Sequence, residues 1–208
     1  MLKGFLFDLD GTLWDSEKVI VKTIFQAASQ AGIHAGKGQI AKQFKKATSP
    51  IIVLKHYHIP ADVFWKFYKQ NYLDVALFFG NTEEIFSTLL ERKKTIGFIT
   101  SLKKEYALSL LEKFNLSTYA KILITPSECR TPKPSPVSII MALEKLHIRS
   151  EYAIYTGDQD SDIVSAKRAG CKSGLAKWGI RNDAKECPDY SFLHLEEILA
   201  LSEGKGAN

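Results

Sequence analysis

Asp8 and Asp10 close an apolar run, Phe5-Leu6-Phe7-Asp8-Leu9-Asp10, and Gly11-Thr12 then breaks the chain out of it. A buried strand that delivers two carboxylates at its carboxyl end is costly unless something cationic meets them. Three more polar stations follow apolar runs downstream: Thr100-Ser101, Lys133 between Pro132 and Pro134, and Asp158 to Asp162. If these stations meet, Asp8, Asp158 and Asp162 gather like charges that cannot all ionise at close range without compensation. A hard divalent cation answers that need. Mg2+ takes oxygen ligands and is typically held by one or two carboxylates plus a substrate phosphate. Lys133 is then a second cation for the same phosphate. Carboxylates two apart at a strand end point in different directions, so one can attack phosphorus while the other serves as acid and then base. Thr100 or Ser101 offers hydroxyl and backbone donors to the transferring phosphoryl oxygens.

The elements that must position these residues alternate along the chain. Lys3 to Leu9 reads as a strand buried on both faces, apolar at nearly every position. Further strands are expected at Thr95–Thr100, Ile122–Ile124, Tyr152–Tyr155 and Lys172–Ala176, with a short edge element at Asp189–Phe192. Between them lie helical segments. Asn81, with Glu84 placed for a capping box, opens one that runs to about Lys93. Others span Lys103–Phe114, Pro136 to about His147 with Pro136 as first helical residue, Asp160–Ala169, and about Leu195–Leu201. Strands alternating with helices imply a parallel sheet with right-handed crossovers, whose ligands bind outside the carboxyl ends of the strands. All four polar stations fall at that rim.

Residues 16–78 break the alternation. Ser16 can cap a helix with Val19, Ile20, Ile24, Ala27, Ala28 and Ala31 on one stripe, stopped by Gly32. Helical segments follow at Gly36–Ala47, Pro50–His58 and Ala61–Leu73, and no strand-like run interrupts them. The expectation is therefore an α/β Rossmann-like core over residues 1–15 and 79–208, with an all-helical cap subdomain inserted at 16–78. Trp65, Phe64, Phe67 and Tyr68 read as the insert's core. Lys42, Lys45 and Lys46 read as a solvated face, and His34, His56 and His58 as surface or packing residues. Asp160 reads as the cap of its helix, not as a ligand. Residues 204–208 are expected to fray.

The motifs Phe7-Asp8-Leu9-Asp10-Gly11-Thr12-Leu13, Thr100-Ser101, Lys133-Pro134-Ser135-Pro136 and Gly157-Asp158-Gln159-Asp160-Ser161-Asp162 resemble the four motifs of the haloacid dehalogenase-like superfamily, in order and spacing, over essentially the whole chain. The helical insert after the first motif resembles the cap of its phosphoglycolate phosphatase-like and β-phosphoglucomutase-like members. The resemblance implies a Mg2+-dependent phosphatase working through an aspartyl-phosphate. It implies Asp8 as nucleophile, and Asp10 as general acid/base and metal ligand through its backbone carbonyl. Thr100 would hold the phosphoryl group, with Ser101 beside it where the family often has Asn. Lys133 would steady nucleophile and phosphate, and Asp158 would bind Mg2+ with Asp162 supporting it directly or through water. The presence of Asp10 argues against carbon–halogen cleavage. The expected substrate is a small phosphorylated metabolite such as 2-phosphoglycolate or a related anhydride. A phosphomutase of the β-phosphoglucomutase type and a non-catalytic binding protein on the same fold are the alternatives.

Composition agrees with an ordinary globular chain. In 208 residues, 45% are hydrophobic and 25% charged, enough for one sizeable core with an insert. The net charge of +5 fits anionic substrates but is too diffuse to argue for nucleic acid. Cys129, Cys171 and Cys187 match no metal spacing and read as free thiols of a reducing compartment. No apolar run approaches the ~20 residues of a membrane span. The first strand starts too early for a cleavable signal peptide to precede it, so a cytoplasmic protein is expected.

Overall fold

The computed structural model describes residues 1–47, 49–181 and 184–203. The fraying expected at 204–208 lies outside the described residues. The first strand, β1 (Gly4–Phe7), is buried at every position. A two-residue strand β2 (Trp14–Asp15) follows, then four helices: α1 (Glu17–Gln30), α2 (Lys37–Lys46), α3 (Pro50–His56) and α4 (Ala61–Asn71). A second two-residue strand, β3 (Ala76–Leu77), pairs with β2. The chain then alternates: α5 (Thr82–Glu91), β4 (Thr95–Ile99), α6 (Lys104–Lys113), β5 (Ala120–Ile124), α7 (Val137–Leu146), β6 (Ala153–Gly157), α8 (Asp160–Arg168), β7 (Lys172–Ala176), β8 (Tyr190–Phe192) and α9 (Ile198–Ser202).

Six of these strands form one all-parallel sheet in the order β5-β4-β1-β6-β7-β8. This is the Rossmann-like α/β fold the alternation predicts. The strand that carries Asp8 lies in the middle, with Phe7 opposite Phe98 on one side and Thr156 on the other. Both faces of β1 are covered. Phe7 packs against Phe86 of α5 at 5.2 Å, and Phe86 against Phe98 at 5.9 Å. On the opposite face Leu6 and Tyr155 join Ile139, Ala142 and Leu143 of α7 and Ala166 of α8. Each buried β1 side chain contributes about 2 kcal/mol, which anchors the strand end that must hold a charged residue.

By its own contacts the chain divides into two units, Met1–Trp14 with Leu77–Asn208, and Asp15–Ala76. The second unit is helical. Its α1 stripe is buried from Val19 to Ala28, and Asn71 of α4 donates to Thr23 Oγ1 (3.2 Å) and Gln26 Oε1 (2.6 Å) of α1. Phe64 and Tyr68 are buried there, while Trp65 and Phe67 are half-buried beside them. Lys42, Lys45 and Lys46 are exposed, as are His34, His56 and His58. The three cysteines are unbridged.

Local corrections concern element ends. The short strand β3 interrupts the stretch expected to be all-helical: it lies in the apolar run Val75-Ala76-Leu77-Phe78-Phe79, and backbone pairing with β2 extends only two residues of it as strand. Ser16 and Asn81 sit at helix starts without capping through their side chains, and Asp15 Oδ1 instead accepts the Glu17 N–H at 2.9 Å. Pro136 precedes α7 instead of opening it. Gln159, not Asp160, occupies the cap of α8. Asp160 Oδ1 accepts the N–H groups of Lys185 and Glu186, both at 2.8 Å, and so ties the loop after β7 to α8. Among the described residues no helix is long and apolar enough to cross a membrane.

Candidate active site

The parallel sheet places the carboxyl ends of β1, β4 and β6 side by side, and the polar stations lie there. Asp8 continues β1 with its N–H donated to Thr156 O at 2.9 Å. Asp158 and Asp162 follow β6, one in the turn and one in the first turn of α8. One oxygen from each of Asp8, Asp158 and Asp162 lies within 4.8 Å of the others, and all three residues are buried.

Lys133 arrives from the loop between β5 and α7. Its ammonium donates to Asp8 Oδ1 (2.9 Å), Asp162 Oδ1 (2.6 Å) and the Tyr155 hydroxyl (3.1 Å), which uses all three of its hydrogens. Burial works against this charge, but Asp162 and Asp8 outweigh it and hold the ammonium well above its usual range. Asp162 does two jobs. Its Oδ2 accepts the Gln159 N–H at 3.0 Å, which caps α8, while Oδ1 grips Lys133.

One lysine does not balance three buried acids. Burial, reinforced by Asp162 and Asp158 and opposed by Lys133, pushes the Asp8 carboxyl up to about 8. Burial and Asp162 push Asp158 up to about 7, against the nearby Arg181. Asp158 Oδ2 accepts the Arg181 backbone N–H at 3.0 Å, whereas its Oδ1 is buried with no hydrogen-bond partner. A buried carboxylate oxygen without a donor is expensive. Three hard oxygen donors with such an atom among them fit a hard divalent cation.

The backbone makes room for this cluster. A side chain on Gly11 would meet the Asp158 carboxylate, one on Gly157 the Asp162 carboxylate, and one on Gly179 both Asp158 and the Gly11 carbonyl. Gly11 also has φ +85°, the left-handed region that favours glycine.

Asp10 lies just beyond, half-buried, and its Oδ1 accepts the indole N–H of Trp14 at 2.8 Å. Thr100 closes β4: its N–H donates to Ile124 O at 2.9 Å and its Oγ1 accepts the Leu102 N–H at 3.1 Å. Ser101 is exposed in the turn that follows. The structure thus brings Asp8, Lys133, Asp158 and Asp162 into direct contact or ligand distance, with Asp10 on the loop that leaves β1 and Thr100 and Ser101 at the neighbouring strand end.

The sequence-based reading passed over Tyr155, Arg181 and Gly179. Tyr155 is fully buried and sits in the middle of an apolar strand, so its pattern reads as core, yet its hydroxyl reaches Lys133, Asp162 (3.2 Å) and the Ile99 carbonyl (3.3 Å). Arg181 lies in a loop with no motif around it.

Comparison with known proteins settles the family. The model of the haloacid dehalogenase-like hydrolases matches residues 5–176. The chain belongs to the haloacid dehalogenase-like hydrolase family. Within that family, it is 27% identical to the phosphoglycolate phosphatase of Aquifex aeolicus over 97% of both chains. It is 25% identical to the pyrophosphatase PpaX of Oceanobacillus iheyensis over 96% of both. A family hydrolase of Deinococcus radiodurans, crystallised with bound phosphate and sodium, shares the fold with a TM-score of 0.76 at 19% identity, over 97% of this chain and 96% of that one.

Proposed function

We propose that this haloacid dehalogenase-like hydrolase is a Mg2+-dependent phosphatase that cleaves a small phosphorylated metabolite through an aspartyl-phosphate on Asp8. The observation that carries the reading is the buried cluster of Asp8, Asp158 and Asp162 with Lys133 inside it and one carboxylate oxygen left without a donor. The names of two relatives, a phosphoglycolate phosphatase and a pyrophosphatase, support it.

Asp8 is the nucleophile in this reading. Lys133 holds its Oδ1, so attack on phosphorus falls to the other oxygen. Asp8 and Asp158 would hold the Mg2+ side by side, with the Asp10 carbonyl. Asp162, whose two oxygens already serve Lys133 and the α8 cap, would act on it through water. When bound, the ion neutralises the acids and the incoming phosphate and so lowers the cost of bringing anion to anion. Thr100 and Ser101 would hold phosphoryl oxygens at the end of β4. Asp10 protonates the leaving oxygen as Asp8 takes the phosphoryl group, and afterwards takes a proton from the water that releases it.

The helical unit Asp15–Ala76 is the part we assign to substrate choice, as a cap. It carries nine lysines against four acids, which accounts for the whole net charge of +5. Such a unit suits a leaving group that is itself anionic, as glycolate and phosphate are.

The test is inorganic phosphate release from a panel of phosphorylated metabolites and pyrophosphate, with and without Mg2+. Metal-dependent release that vanishes in Asp8→Asn is the expected result. Interconversion of a sugar phosphate without phosphate release would move the protein to the phosphomutases. No turnover and no Mg2+ binding would leave only a binding role.

A further inference from the structure

Beyond the residues assigned so far, we propose that Trp14 is a positioning residue for Asp10, its indole N–H fixing the carboxyl group in the orientation that serves the leaving oxygen. This rests on the reading of Asp10 as general acid/base. Trp14 Nε1 lies 2.8 Å from Asp10 Oδ1. The indole is fully buried and packs against the Phe114 ring at 5.8 Å, so it cannot swing away without opening the core. The residues from Leu9 to Trp14 form one tight turn. The Leu9 carbonyl accepts the N–H groups of Thr12 (3.1 Å) and Leu13 (2.9 Å), and the Gly11 N–H donates to the Trp14 carbonyl at 2.9 Å. Asp10 and Trp14 are also bridge partners. Backbone and side chain therefore fix the two residues against each other.

The indole N–H holds Oδ1 and with it the plane and direction of the Asp10 carboxyl group. In the first step an Asp8 oxygen bonds to phosphorus, the bond from phosphorus to the leaving oxygen breaks, and the Asp10 proton moves to that oxygen. The carboxylate left behind keeps the indole hydrogen bond. In the second step water gives a proton to Asp10 and its oxygen to phosphorus, and the bond to Asp8 breaks. A group aimed to within a fraction of an ångström is what such transfers need.

The test separates proton delivery from packing. First-turnover rates are measured for two phosphate esters, 2-phosphoglycolate, whose alkoxide must be protonated as it leaves, and p-nitrophenyl phosphate, whose phenolate leaves without help. Trp14→Phe is compared with an isosteric variant in which benzothiophene replaces the indole and only the N–H is lost. Both should slow the alkyl ester by about tenfold to a hundredfold, part of the ~10²–10⁴ that proton transfer contributes, and the aryl ester far less. Equal slowing of both esters, or none, would overturn the proposal. The benzothiophene protein keeps the test open if Trp14→Phe fails to fold. Asp10→Asn run on the same pair is the control. If it shows no contrast between the esters, the reading of Asp10 itself fails. If it shows the contrast and the Trp14 variants do not, only the role of Trp14 falls.

Discussion

Lys133 is the residue on which the balance of the site turns. It sits between Asp8 and Asp162, and both ion pairs are out of solvent. Removing one partner of a buried pair leaves the other charge stranded, a loss of about 3–5 kcal/mol. Lys133→Met keeps the apolar stem and deletes the charge. It should lower the unfolding free energy by an amount in that range at neutral pH, seen as a lower denaturant midpoint at an unchanged slope, and abolish phosphate release. Lys133→Arg should not restore activity, because a planar guanidinium cannot give three diverging hydrogens to Asp8, Asp162 and Tyr155. The lysine was legible because it stands between prolines in a motif with a fixed place after the third core strand. Tyr155 was not. A strand that is apolar on both sides gives a tyrosine the look of filler, and only the parallel pairing of β6 with β1 brings its hydroxyl beneath Lys133. Trp14 hides in the same way: it falls where the chain leaves the first strand, and its hydrogen bond to Asp10 depends on the turn that folds Asp10 to Thr12 back upon it.

At the scale of elements, the loops that leave β1, β6 and β7 close around Asp158, and three glycines let them do so. Gly179→Ala drives a methyl group into Asp158 and the Gly11 carbonyl, both backed by rigid structure. The variant should lose about 1–3 kcal/mol, as overpacked cores do, and bind Mg2+ more weakly, read by the metal-induced rise in melting temperature. Gly38→Ala is the contrast. It lies in α2 with open space around it and should gain up to about 1 kcal/mol from helix propensity. The alternation of strand and helix made the sheet readable, since each crossover needs its own apolar run. Helix starts were less readable because several residues can satisfy the same N–H groups. Asp15 serves at α1 where Ser16 had the right chemistry, and Asp162 caps α8 through Gln159 while Asp160 turns to the loop after β7. A sequence shows which side chains can cap, and tertiary contacts select among them.

For the molecule as a whole, the buried acids set how stability follows pH. Asp8 and Asp158 have native values of about 8 and about 7, above the ordinary 3.8 of an unfolded Asp, because burial penalises their charge. The folded state therefore holds protons that the unfolded chain has already lost. Their contribution to stability is complete below the unfolded value and drains away as pH climbs through the native values. The +5 charge works the other way: self-repulsion relaxes as pH approaches the isoelectric point near 9.0, which alone would make the protein sturdier in base. Without divalent cations the melting temperature should fall between about pH 4 and about pH 8, and that fall would identify the buried carboxyls against the opposing surface term. Mg2+ reverses it, because a cation at Asp8 and Asp158 stabilises the ionised forms. The gain in melting temperature on adding Mg2+ should thus widen with pH, and calorimetry in two buffers of different ionisation enthalpy should show protons released on binding. Asp158→Asn should flatten both effects by removing one of the two titrating ligands. A pH-independent gain in the native protein would mean that the ion settles elsewhere, and the aspartate cluster would then be a proton store with no metal to serve.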